Sequence, residues 1–73
     1  MANHKVDYLT VPQERILSCI RQAILDDGDP PTVAELAARV GLAASTVHYQ
    51  LRELETKAAI IREPHQPRGI RLA

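Results

Sequence analysis

At 73 residues the chain is one domain at most, and a chain this short buries only about 60% of the surface its unfolded form exposes. Its 45% hydrophobic content is normal for a globular fold and argues against disorder over the whole length, no apolar run nears the ~20 residues of a membrane span, and nothing resembles a secretory signal. The single cysteine, Cys19, excludes an internal disulfide and points to the cytoplasm. The zero net charge hides a gradient: residues 1–38 carry three basic and six acidic side chains, residues 39–73 six basic and three acidic.

Residues 1–9, "MANHKVDYL", have no period and read as a flexible N-terminal tail, so the folded domain is expected over residues 10–73. Helix one starts at Thr10, where "TVPQ" sets up a capping box with Gln13 and puts Pro12 in the first turn. Ile16, Leu17, Ile20 and Ile24 then repeat at helical spacing, with Cys19 read as a small core-edge residue, until Gly28 stops the helix. "DDGDPP" is a turn. "TVAE" is a second capping box, Thr32 with Glu35, opening helix two with the stripe Val33, Leu36, Ala37 and Val40. Gly41 ends that helix in a left-handed conformation.

Helix three is expected from Ala44 to Lys57. Ala44, Val47, Leu51, Leu54 and Ala58 share its apolar face. Ser45, Tyr49, Arg52 and Thr56 centre on the opposite face, flanked by Thr46 and His48. Its cap position holds Ala43 where Ser or Thr would be expected. Ile60 to Glu63 and Gly69 to Leu72 are short β-type runs around "PHQPR", which suggests a hairpin in which Arg62 and Arg71 pair with Glu63. The whole is an α+β winged helix-turn-helix: three helices followed by a two-stranded β-hairpin wing.

The helix-three face suits base reading, because short hydroxyls, an imidazole and a phenol on the first turns can meet base edges or a thymine methyl. Arg52, two turns along, suits a phosphate, and Arg68 at the end of the hairpin loop suits a backbone or minor-groove contact. Thr32 caps helix two and also aims that N-terminus, with its free amides, at a phosphate. His4, His48, His65 and Cys19 lack any metal-ligand spacing, so no metal or cofactor is expected. No nucleophile elbow, phosphate loop or paired carboxylate is evident. Ser45 and His48 lie on an exposed helix and form no triad, so neither enzyme activity nor a small-molecule substrate is expected.

"PPTVAEL", "VGL", "VHYQLRELETK" and the wing ending "PRGIRL" resemble the N-terminal DNA-binding domain of LexA repressors, most of all the actinobacterial ones, from Leu9 to Leu72. The resemblance implies that helix three enters the major groove of double-stranded DNA and that the wing meets the backbone. It places base-reading positions on Ser45, Thr46, His48 and Tyr49. Phosphate positions fall at Thr32, Arg52, His65 and Arg68. The chain departs from the family by one residue fewer before "QL", and by Ala58 where glycine is usual, so that helix three should run on or end with strain. The self-cleaving serine–lysine protease half of LexA proteins, which also dimerises them, has no counterpart in the sequence. Self-cleavage is therefore not expected, and the chain is either a domain cut from a longer repressor or a stand-alone relative.

Two functions are open on these grounds. One is sequence-specific DNA binding as the operator reader of a repressor. It would be weak for one copy and strengthened by a homodimer across a palindromic site. The other is a winged helix used for protein contact, favoured by zero net charge and by Glu53 and Glu55 on helix three. The second should show a contiguous apolar patch, for which Tyr49 and Leu25 are the large exposed candidates.

Overall fold

Thr10 Oγ1 accepts the Gln13 N–H at 3.3 Å, and Gln13 Oε1 accepts the Thr10 N–H at 3.1 Å. The expected capping box thus opens α1 (Val11–Asp27), and Gly28 ends it with a left-handed φ of 79°. These relationships come from a computed structural model, which describes residues 8–73. Residues 1–7, most of the expected tail, lie outside the described residues, as does His4. Leu9, assigned to the tail by sequence, packs against the core.

The second capping box, Thr32 with Glu35, opens α2 (Val33–Val40), which ends at Gly41 with φ 72°. Only a residue tolerant of the left-handed region can turn the chain so tightly into the next helix. From α1, Arg15 Nη2 donates to the Val40 carbonyl at 3.3 Å, placing a cation at the negative end of α2. After three intervening residues, Gly41 to Ala43, comes α3 (Ala44–Thr56).

α3 stops at Lys57 because Ala58 swings to φ 63°, and the Ala59 N–H then donates to the Leu54 carbonyl at 2.9 Å. Of the two outcomes expected from Ala58, the helix takes the strained ending. A non-glycine residue in this region costs about 1 kcal/mol. Two strands follow, β1 (Ile60–Arg62) and β2 (Ile70–Leu72), antiparallel, with Ile60 opposite Leu72, Ile61 opposite Arg71 and Arg62 opposite Ile70. Gly69 closes the loop between them because the backbone packs closely there: a side chain at this position would collide with the Glu63 carbonyl oxygen.

The three helices and hairpin are the expected winged helix-turn-helix order. One core joins them, built from Ile16, Leu17 and Ile20 of α1, Leu36 and Val40 of α2, Val47, Leu51 and Leu54 of α3, Ile60 and Ile70. Each such side chain contributes about 1.5–3 kcal/mol by leaving water. Two members of the expected α3 stripe are not in it. Ala44 and Ala58 are both exposed, because the stripe ends where the helix leaves α1 and α2. No described helix is long and apolar enough to cross a membrane.

Candidate nucleic-acid interface

Complete burial of Val47, Leu51 and Leu54 fixes the rotation of α3. The side chains on the other side must then project outward. Ser45, Thr46, His48, Tyr49 and Arg52 are all exposed, and Tyr49 is 59% exposed. The five predicted residues thus share successive turns of one helix, and none is hydrogen-bonded to another side chain among the described residues. Ala43 gives α3 no side-chain cap, so its first-turn amides also lack that partner. Donors and acceptors left open in this way can bond to something outside the chain.

The other three predicted residues lie elsewhere. Thr32 Oγ1 is occupied in capping α2, taking the Glu35 N–H at 3.1 Å. His65 sits exposed in the wing loop with φ 67°, in the left-handed region that histidine enters more readily than most residues. Arg68 does not extend freely from the wing. It grips Glu35 through two N–H···O bonds of 2.8 and 2.9 Å and also donates to the Pro30 carbonyl at 3.0 Å. The structure therefore brings Thr32 and Arg68 together through Glu35. Arg68 first, and then the Thr32 N–H, hold the Glu35 carboxyl down from 4.5 to about 2, while the carboxylate raises Arg68. Beside the pair is an open cleft of about 380 Å³, lined also by Asp27, Asp29 and Arg39.

The basic half of the chain is less free than its charge count suggests. Arg71 pairs with Glu63 at 2.7 Å, as the hairpin reading expected, whereas Arg62 shows no such pair among the described residues. Lys57 is turned inward to Gln13 Oε1 at 2.7 Å and to the Tyr8 carbonyl at 3.0 Å. On α3 itself Arg52 is the exposed cation, with Glu53 and Glu55 nearby. The large exposed apolar set is also wider than Tyr49 and Leu25, since Tyr8, Val11, Ile61 and Leu72 join it.

Sequence reasoning missed the second role of Glu35 and the anchoring role of Lys57. The capping-box pattern named Glu35 and Gln13, but only for their local bonds. Gln50, which accepts from Gln13 Nε2 at 3.0 Å, carried one weak signal: a polar residue on the flank of the α3 stripe.

Residues 6–69 match the family described as the LexA DNA binding domain. A LexA repressor of Clostridium acetobutylicum is 51% identical over 61 residues, covering 82% of this chain and 30% of that protein. One from Methylococcus capsulatus is 48% identical over 65 residues, 88% of this chain and 32% of that protein. One from Corynebacterium glutamicum is 42% identical over 73 residues, 96% of this chain and 32% of that protein. The chain spans about a third of the length of these relatives. The resemblance read from the sequence is borne out.

Proposed function

This chain belongs to the LexA DNA-binding domain family, and we propose that it binds double-stranded DNA sequence-specifically, as the operator-reading domain of a LexA-like transcriptional repressor. The observation that carries this reading is the outward face of α3. Ser45, Thr46, His48 and Tyr49 stand exposed on a helix whose rotation is locked by three fully buried residues. A rigid helix with unengaged short polar groups on its first turns is what major-groove reading requires. In this reading those four residues meet base edges. Arg52, the α2 start at Thr32, and the wing at His65 and Arg68 meet backbone phosphates.

With zero net charge and several cations already engaged, one copy binds weakly. Affinity comes from two copies paired on a palindromic operator, as a homodimer on DNA. The work is done in the cytoplasm, without catalysis, membrane or small-molecule substrate. The test is selection from randomised duplex DNA at low salt, followed by sequencing of the bound fraction. An enriched inverted repeat supports both base reading and pairing of copies. Recovery without a motif would remove the sequence-specific part, and no recovery at all would overturn the proposal.

A further inference from the structure

Glu35 serves two partners with one carboxylate. Its Oε1 accepts the Thr32 N–H at 3.0 Å and Arg68 Nη1 at 2.8 Å, and its Oε2 accepts Arg68 Nη2 at 2.9 Å. Arg68 Nη1 donates as well to the Pro30 carbonyl at 3.0 Å. These bonds fasten the wing loop to the start of α2 and set the plane of the guanidinium. They use both hydrogens of Nη1 and one of Nη2. The Nε–H and the remaining Nη2 hydrogen have no partner among the described residues, and the side chains of the pair are each 47% exposed.

The charge on Glu35 is not needed for its local task. A glutamine at this position of a capping box would satisfy the Thr32 N–H equally well, as Gln13 does for Thr10 at the start of α1. A carboxylate on a surface that meets phosphates is, by simple electrostatics, a handicap. Its advantage over an amide is the strong two-point bond to Arg68.

We propose that Glu35 is a positioning residue for DNA binding that acts through Arg68, clamping the guanidinium against the start of α2 so that its free N–H groups and the wing behind it are preset to meet a backbone phosphate. This inference rests on the DNA-binding reading above and adds to it the residue that aims the wing. Charge and positioning predict opposite signs for one substitution, which makes the idea testable.

The experiment titrates the full chain into a fluorescent duplex carrying the motif enriched by selection, or a mixed-sequence duplex at low salt. Four proteins are compared: the parent, Glu35→Gln, Arg68→Ala and the double variant. Thermal melting of each establishes that it is folded. Positioning through Arg68 predicts that Glu35→Gln weakens binding about three- to tenfold, the size expected for ordering one long side chain. In the Arg68→Ala background the same change should leave binding unaltered or tighten it. Tighter or unchanged binding by Glu35→Gln in the parent would overturn the proposal, as would equal weakening in both backgrounds, which marks a purely structural role in α2. A parent that binds neither duplex would overturn the DNA-binding reading, and this inference with it.

Discussion

Gln13 and Lys57, 44 positions apart in the chain, meet at 2.7 Å between Oε1 and Nζ. The amide oxygen also takes the Thr10 N–H, and its Nε2 donates to Gln50. Lys57 donates in turn to the Tyr8 carbonyl, with its ammonium 5.0 Å from the Tyr8 ring centre. Gln13 is only 4% exposed and is the one buried polar side chain among the described residues. A single amide thus caps α1 and fixes α3 against it.

Gln13→Ala should destabilise the protein by about 1–3 kcal/mol, because it strands partners on both helices in a part-buried site. Urea unfolding measures this as a lower midpoint with an unchanged slope. A change within experimental error would show that water replaces the amide at no cost.

Ala58→Gly should act in the opposite direction. Ala58 holds φ 63° at the end of α3, where its Cβ is strained. Relief is expected to add up to about 0.5 kcal/mol of stability, after the greater entropy of glycine in the unfolded chain is subtracted. The same unfolding titration reads it, and a loss of stability would mean that the turn relaxes around alanine without strain.

The Glu35–Arg68 clamp predicts a pH window. The Glu35 carboxyl is depressed on folding, so its contribution is complete above its ordinary value and is lost as pH falls through the folded one. Melting of the parent and of Glu35→Gln should differ by a constant amount down to pH 4.5, and the difference should close by about pH 2. A gap that persisted at the acid end would assign it to something other than the ionised carboxylate.

On DNA, the α3 residues should separate into two kinds. His48→Ala or Tyr49→Ala should shift base preference at one position, worth about 1–3 kcal/mol against the wrong base. Arg52→Ala should weaken binding to every sequence alike and lower the salt dependence by about one counterion. Binding to matched and scrambled duplexes across a salt series distinguishes the two. A change in base preference from Arg52→Ala would move that residue from backbone to base.

Much of the fold could be read directly from residues a few positions apart. Thr10 with Gln13, Thr32 with Glu35, and the glycine turn at Gly41 are local bonds within one helical turn, and all form as expected. The α3 stripe was legible through Val47, Leu51 and Leu54 but failed at its ends, at Ala44 and Ala58. Periodicity says which residues share a face; where neighbouring elements stop covering that face depends on packing. The outward set Ser45, Thr46, His48, Tyr49 and Arg52 was legible for the same reason, as the complement of a buried stripe.

The sequence by itself determined the element order, the caps and the polar face of α3, because each follows from backbone hydrogen bonds and hydrophobic spacing over three or four residues. Tertiary structure alone decided which long polar side chains are spent inside the molecule. Arg68 finds Glu35 across 33 positions, and Lys57 finds Gln13 across 44. Long flexible side chains can reach many partners, and only the packed arrangement of α1, α2, α3 and the wing brings one of them within bonding distance.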